Sequence, residues 1–369
     1  MWPARLTKIK LEVLFAFPHI GKMHEESLQG ACRHIMTAGK NSAASTEASG
    51  HIPVMLAEVL DALQPRDGAV YVDGTFGAGG YTSAILDAAD CKVYAIDRDP
   101  DAMTRASTMA ARYNGRLVPL EGCFGDMAQL LEAAGIDKID GIVLDIGVSS
   151  IQLSTAARGF SFQNDGPLDM RMSHSGESAA DVVNHADEKD LADIIFNYGD
   201  ERASRAIARK IVAARAEKRI ETTLELANIV HSVLPMHGGL RTDTATKTFQ
   251  ALRIYVNDEL GELDRALEAA EDLLKPEGRL VVVSFHSLED ARVKNFFREK
   301  SGKAANASRH LPPGPDAPPP VFTLERNNGV KPSEAETARN PRARSAHLRY
   351  GIRTAAKVVR KGQGRKAHA

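Results

Sequence analysis

The chain has 369 residues, of which 43% are hydrophobic, and its formal net charge is -1. This length and composition allow one large α/β domain with an insertion or two ordinary domains, and they exclude a wholly disordered chain. Three cysteines without a CxxC pair argue against a disulfide framework or a structural zinc site, and no run of about 18 apolar residues offers a membrane span.

Residues 1–50 precede the first regular pattern, and we expect them to form a poorly structured extension. They contain basic positions and an apolar patch, but they lack the continuous apolar region of a secretory signal. The expected location is therefore the cytoplasm. A mitochondrial presequence is the alternative interpretation of this extension.

Short apolar strands alternate with helical segments from residue 51 onwards, which predicts a doubly wound parallel sheet. The strands are predicted at residues 69–72, 93–96, 117–118, 142–144 and 280–283. Asp73, Asp97 and Asp145 follow the first, second and fourth of them. Ligands of such sheets bind beyond the carboxyl ends of the strands, so we expect these three carboxylates to line one site.

The alternation stops at residues 153–246, where a Gly- and Asp-rich loop and helical segments predict an inserted helical subdomain for substrate recognition. The sheet domain is then divided into residues 51–152 and 247–353. Its second part contains a Pro-rich loop at residues 311–320, and a basic tail at residues 354–369 follows it.

Positive charge is concentrated at the C-terminal end, where residues 339–369 contain ten Lys or Arg and no Asp or Glu. Arg202, Arg205 and Arg209 also recur on one side of a predicted helix, beside Ile207 and Ile211, which are expected to pack inward. Both features favour a polyanionic partner such as RNA, although a solvated tail and a solvated helix face explain them as well.

The motif DGTFGAGG runs from Asp73 to Gly80 and places glycines where a strand turns into a helix, so that the backbone can approach a ligand. A dinucleotide fingerprint would need a third glycine where Thr82 stands, and a phosphate loop would need a Gly-Lys pair. An acidic residue before the glycines suits an ammonium group. Asp97 is placed to accept the ribose hydroxyls and Phe124 to cover an adenine. The pattern favours S-adenosylmethionine, with NAD as the weaker alternative.

Five stretches resemble the ribosomal RNA small subunit methyltransferase H family. They are residues 73–80, 143–152, 158–172, 284–290 and 340–345. The stretch RGFSFQNDGPLDMRM at residues 158–172 is the most specific, and the resemblance covers about residues 51–353. It implies a Rossmann-like class I S-adenosylmethionine methyltransferase sheet, α/β and doubly wound, with an inserted helical subdomain. It also implies methylation of the exocyclic N4 of a cytidine in the decoding region of 16S rRNA.

The family's cofactor contacts, transferred by motif, fall on seven positions. They are Gly79, Gly80, Tyr81, Asp97, Phe124, Asp145 and Gln152. Tyr81 stands where many members have His, so a backbone contact suits this position best. The resemblance implies 16S rRNA as partner, within the small ribosomal subunit. No membrane partner is expected, and a homodimer is one of the oligomeric states left open.

The residue that accepts the proton of the target amine stays open at this stage. Asp145, Asp165, Asp169 and His286 are the candidates, although Asp165 precedes Gly-Pro as a turn residue would and His286 suits a structural hydrogen bond. No His/Cys cluster at ligand spacing predicts a metal, and a sulfonium donor needs none. A non-catalytic RNA-binding or assembly factor with the same fold is the alternative from another functional class.

Overall fold

The computed structural model describes residues 53–235, 243–303 and 319–358. The predicted extension at residues 1–50, most of the Pro-rich loop and the tail beyond residue 358 lie outside these ranges. Within the described ranges, no helix combines the length and apolarity needed to cross a bilayer.

Seven strands of the described chain form one sheet. They are β1 (Val70–Asp73), β2 (Lys92–Asp97), β3 (Leu117–Glu121), β4 (Ile139–Asp145), β5 (Leu274–Ser284), β6 (Phe322–Thr323) and β7 (His347–Arg353). Their order is β3-β2-β1-β4-β5-β7-β6. Strands β1 to β5 are parallel, and β7 runs antiparallel between β5 and β6. The order reverses between β1 and β4, where ligands of doubly wound sheets bind. The predicted doubly wound α/β sheet is confirmed.

The helices of the described ranges connect these strands or form the insertion. They are α1 (Leu56–Leu63), α2 (Gly80–Ala88), α3 (Pro100–Ala110), α4 (Met127–Ala133), α5 (Ser150–Ser154), α6 (Ala179–His185), α7 (Glu188–Gly199), α8 (Ser204–Glu217), α9 (Thr223–Val233), α10 (Thr246–Asn257), α11 (Glu259–Leu273), α12 (Ser287–Lys300) and α13 (Glu334–Arg339). Side chains alternate between the two faces of a strand. Accordingly, Tyr71 and Val93 pack with α1, α2 and α3, whereas Val72 and Tyr94 pack with α4, α11 and α12.

The inserted helices have a hydrophobic cluster of their own, built from α6, α7, α8, α9 and α10. Ile207 and Ile211 of α8 are buried in it, as their spacing predicts. Helix α10 begins at the predicted boundary of residue 246, yet its Phe249 and Leu252 also lie in this cluster. The packing of the insertion therefore continues as far as Asn257, the last residue of α10.

Strand β7 comes from the basic stretch at residues 339–369, which the sequence does not mark as a strand. Arg349 and Arg353 are each only 8% exposed. The Arg349 guanidinium donates to both carboxylate oxygens of Asp290, at 2.7 and 3.0 Å, and the Nε of Arg353 donates to the Glu271 carbonyl at 2.9 Å. Two cations of this basic stretch are therefore buried, and they attach β7 to α12 and α11.

We expect a chain that ends at Thr337 to lose cooperative thermal unfolding, because it lacks β7 and leaves β5 without its antiparallel neighbour. A chain that ends at Val358 is the control, since it keeps every described element, and its Tm should match that of the full chain. Circular dichroism during heating measures both. Cooperative melting of the shorter chain at the same Tm would contradict this role of β7.

Candidate active site

The glycine motif forms the turn between β1 and α2. Gly79 has a φ of 80°, and a Cβ there would lie 2.5 Å from the Cε of Met109. A Cβ on Gly80 would overlap the ring of Pro53. Both positions thus need glycine for the packing of the protein itself, and what they can offer a ligand is their backbone amides at the start of the helix.

Asp97, at the end of β2, holds this turn in place. Its Oδ2 accepts from the N–H of Gly77 at 2.8 Å, and its Oδ1 accepts from the N–H of Asp99 at 2.9 Å. Burial raises the pKa of Asp97. Each carboxylate oxygen can accept a second hydrogen bond, so Asp97 can still receive two hydroxyl groups, as the sequence predicts for a ribose.

Phe124 follows β3 and opens a short 3-10 turn, Phe124–Asp126. It is half-buried, and its Cβ would lie 3.2 Å from a Cβ placed on Gly74, the residue after the β1 carboxylate. Phe124 therefore begins close to the turn after β1, and its side chain packs against the hydrophobic cluster that contains Val72. This placement suits the predicted contact with an adenine.

Tyr81 does not present its side chain to this site. It is 4% exposed and packs in the hydrophobic cluster around α1 and α2, where its hydroxyl donates to the Val54 carbonyl. Burial raises the pKa of Tyr81 well above its ordinary value. Only the backbone of Tyr81 is left to contact a ligand. A backbone contact is compatible with His at this position in many family members and Tyr in this chain.

Gln152 uses both ends of its side-chain amide within the protein. Its Oε1 accepts from the N–H of Ser149 at 2.9 Å, and its Nε2 donates to Asp99 Oδ2 at 2.8 Å. Arg158 donates to the same Asp99 oxygen at 2.9 Å and to the carbonyls of Arg171 and Met172. Asp99, which follows β2, thus holds the first residue of the family-specific stretch at residues 158–172 in place. Sequence reasoning missed it, although an Asp directly before Pro100 is a helix-start signal.

Two buried carboxylates lie at the ends of β1 and β4. Asp73 is 1% exposed and accepts from the Thr82 hydroxyl at 2.7 Å. Burial raises the pKa of Asp73 to about 6. The Oδ1 of Asp145 has no solvent contact and no hydrogen-bond partner. Burial, followed by the charges of Asp73 and Glu289, raises the pKa of Asp145 to about 8. Asp145 therefore holds a proton in the unliganded protein, and a cationic ligand beside it would favour its ionised form.

Glu289, which sequence reasoning also missed, completes this negative cluster. It is fully buried, and its Oε2 accepts from the N–H of Phe285 at 2.8 Å. The Nε2 of His286 lies 2.9 Å from Glu289 Oε1, without hydrogen-bond alignment. Burial acts to raise the pKa of Glu289, but the contact with His286 and the charge of Arg253 lower it below its ordinary value. His286 and Glu289 are spaced as in a capping box at the start of α12. This spacing is the feature of the sequence from which the role of Glu289 could have been predicted.

Arg253 of α10 connects the insertion to this cluster. It pairs with both carboxylate oxygens of Glu259, at 2.7 and 2.8 Å. Ligand atoms of Glu259, His286 and Glu289 lie within 4.8 Å of one another, which is close enough to hold a metal ion. However, Arg253 already neutralises Glu259. The expectation that the reaction needs no metal stays a prediction.

The other two candidate carboxylates serve the loop of the insertion. The Oδ1 of Asp165 accepts from the N–H groups of Gly166 and Leu224, each at 3.1 Å, and the latter contact lowers the pKa of Asp165. Asp169 forms a paired contact with Arg171, at 2.7 and 2.9 Å, which outweighs the effect of burial and lowers the pKa of Asp169. Of the four candidates, Asp145 is therefore the one with a buried oxygen that has neither a hydrogen-bond nor an ion-pair partner, whereas the Nε2 of His286 faces Glu289.

Comparison with known proteins gives a match to the MraW methylase family over residues 48–354. The chain is similar to ribosomal RNA small subunit methyltransferase H of Hyphomonas neptunium, with 60% identity over 83% of this chain and 89% of that protein. The same enzyme of Parvibaculum lavamentivorans is 58% identical, over 87% and 93%. A solved rRNA methylase from Streptococcus thermophilus has 11% identity and a TM-score of 0.34, over 81% of this chain and 93% of that one.

We expect Asp145→Asn to stabilise the unliganded protein increasingly as the pH rises from 5 to 8. Between its ordinary pKa and its raised value of about 8, the folded state holds a proton on Asp145 that the unfolded state has lost. The free energy of unfolding then falls with pH by up to about 1.4 kcal/mol per unit. Asn carries no such proton, so the Tm difference should grow by roughly 5 °C or more. A difference that is constant with pH would contradict the raised pKa.

Proposed function

Because the chain belongs to the MraW methylase family, we propose that it methylates the exocyclic N4 of a cytidine in the decoding region of 16S ribosomal RNA. The coarser conclusion, an S-adenosylmethionine-dependent methyltransferase of small-subunit rRNA, follows from the family and its relatives. The predicted methyl donor is thereby confirmed, and the NAD alternative is dropped. The observation that carries the finer proposal is the buried, unpaired Oδ1 of Asp145 at the point where the strand order reverses.

The charge of the site fits the proposed cofactor. When bound, S-adenosylmethionine supplies a methyl group on a positively charged sulfur, next to an ammonium group. Glu289 and Asp73 provide buried negative charge for such a cation, and Asp145 would lose its proton when the cation binds beside it. Asp97 would accept the two ribose hydroxyls, and Phe124 would lie against the adenine. Gly79, Gly80 and Tyr81 would contribute backbone groups, and Gln152 would hold the loop that closes this side of the site.

The target amine needs an acceptor and a fixed position. The N4 lone pair of cytosine is delocalised into the ring, and the amine becomes acidic only as the new bond forms, so an aligned hydrogen-bond acceptor suffices. We propose that the Asp145 carboxylate accepts from this amine and that His286, held beside Glu289, lines the same pocket. A paired cytosine cannot reach such a buried position, so the nucleotide must be unstacked first.

The proposed partner is 16S rRNA within the small subunit, and the proposed location is the cytoplasm. The curated relatives are bacterial enzymes of small-subunit rRNA, which supports both statements. The mitochondrial alternative depends on residues 1–50, and a homodimer remains one of the open oligomeric states.

The reaction is tested with small subunits and with 16S rRNA that lack the modification. Incubation with methyl-labelled S-adenosylmethionine should label the RNA, and digestion followed by mass spectrometry should yield N4-methylcytidine. Label on another base, or at another atom of cytidine, would contradict the proposed site of transfer. An absence of any label would favour the non-catalytic assembly factor instead.

The role of Asp145 is tested by Asp145→Asn. We expect kcat to fall by about 100-fold, in the range of positioned proton acceptors. Affinity for S-adenosylhomocysteine, measured by calorimetry, should change by less than about threefold, since its sulfur is uncharged. Asp165→Asn is the matched control and should keep kcat, because Asn can still accept from Leu224.

Asp97→Ala should weaken cofactor affinity and leave kcat at saturating cofactor largely unchanged, which is the reverse of the result expected for Asp145→Asn. Losing the ribose contacts should weaken cofactor affinity by roughly 1.5–3 kcal/mol, which is about 10- to 150-fold. If Asp145→Asn instead loses affinity to the same extent while kcat at saturating cofactor is unchanged, then Asp145 holds the cofactor and another residue receives the amine.

A further inference from the structure

A second pocket lies outside the active site, between α12, β7 and the segment that follows β6. Its volume is about 210 Å³. Four cationic side chains line it, and all four are exposed: Lys294, Arg298, Lys303 and Arg326. Phe297 and Leu324 add apolar surface. The volume is below the range of about 300–1,000 Å³ that is typical of small-molecule sites, so it suits a phosphate group and its sugar better than a whole cofactor.

The positive charge of this pocket exceeds the negative charge of the acidic side chains that contact its lining in the described part of the chain. Asp290 is already paired with Arg349, at 2.7 and 3.0 Å, and with His347 at 2.7 Å. Glu325 keeps its negative charge, because the Tyr350 hydroxyl from which it accepts at 2.8 Å is neutral, and it offsets one of the four exposed cations at most. Among the described residues, no ion pair involves any of the four exposed cations, although Lys303 donates to the Asn327 side chain. The pocket therefore has an excess of positive charge on a rigid wall.

We propose that this pocket binds a phosphodiester of the substrate RNA at a distance from the nucleotide that is methylated. The proposal rests on the proposed function, which makes RNA the substrate. Lys and Arg side chains bind phosphates mainly through charge, with release of counterions. The pairs Arg349–Asp290 and Tyr350–Glu325 keep one wall of the pocket in a fixed shape.

The position of the pocket relative to the active site supports this role. Helix α12 begins directly after His286, and a helix rises about 1.5 Å per residue. Lys294 and Arg298 thus lie about 12 and 18 Å along the helix from His286. A few nucleotides of RNA span this distance. A strand with its target cytidine at the ends of β4 and β5 can therefore place a neighbouring phosphate in the pocket.

The test removes three of the cations together, as Lys294→Gln, Arg298→Gln and Arg326→Gln, and leaves Phe297 and Arg349 in place. The matched control is the triple change Lys92→Gln, Arg112→Gln and Lys138→Gln, which removes the same charge at the other edge of the sheet, where β2, β3 and β4 begin. Binding of unmodified 16S rRNA is measured by filter retention between 50 and 200 mM salt. Calorimetry with S-adenosylhomocysteine and thermal unfolding verify that each variant is folded and binds cofactor.

For the pocket variant, we expect the logarithmic salt dependence of RNA affinity to flatten by about 2, from three contacts at roughly 0.7 each. The KM for RNA should rise at least tenfold, while kcat at saturating RNA and cofactor affinity stay unchanged. The control should keep the salt dependence of the original protein. Equal losses in both variants would show a general effect of charge and overturn the proposal, as would no loss in the pocket variant. Since RNA binding is measured without methyl transfer, failure of the proposed reaction is seen separately, in the labelling experiment.

Discussion

Repulsion between buried carboxylates at the strand ends is the interaction to which the rest of the site is adapted. Asp73 and Glu289 act on Asp145, and Asp97 acts on Asp73, in surroundings where burial already disfavours charge. Each is relieved differently: Asp73 by the Thr82 hydroxyl, Asp145 by retaining a proton, and Glu289 by His286 and the charge of Arg253. Since Arg253 belongs to the insertion, the inserted helices contribute to the electrostatics of the sheet domain and do more than extend its surface.

The family-specific stretch at residues 158–172 is held in shape by contacts with both the sheet domain and the inserted helices. On the sheet side, Arg158 reaches Asp99 beyond the end of β2. On the side of the insertion, Asn257 accepts from the N–H of Met172 at 2.9 Å and donates to the Met170 carbonyl at 2.8 Å. A loop held by hydrogen bonds at both ends presents one fixed surface to the site. This explains why so many polar residues of the motif are engaged with the protein itself.

The sequence allowed the sheet and its strand-end aspartates to be predicted, because apolar strands alternating with helices place those residues at one edge whatever the details of packing. It did not reveal β7, since Arg349 and Arg353 interrupt its apolar pattern and their burial depends on Asp290 and Glu271, which are distant in the chain. The ion pair between Arg253 of α10 and Glu259 of α11 likewise could not be predicted from their spacing in the sequence. Family resemblance supplied the cofactor residues, and the structure adds which of their atoms remain free.

The place of β7 in the sheet also has a consequence for how the protein is made. Among the described residues this strand is the last in sequence, yet it lies inside the sheet, between β5 and β6. During synthesis, β5 therefore emerges and waits with an open hydrogen-bonding edge until the residues up to Arg353 have been added. An exposed strand edge of this kind is a site of aggregation. The nascent chain is thus most prone to aggregate between the synthesis of β5 and that of β7, and a chaperone would be most useful during this time.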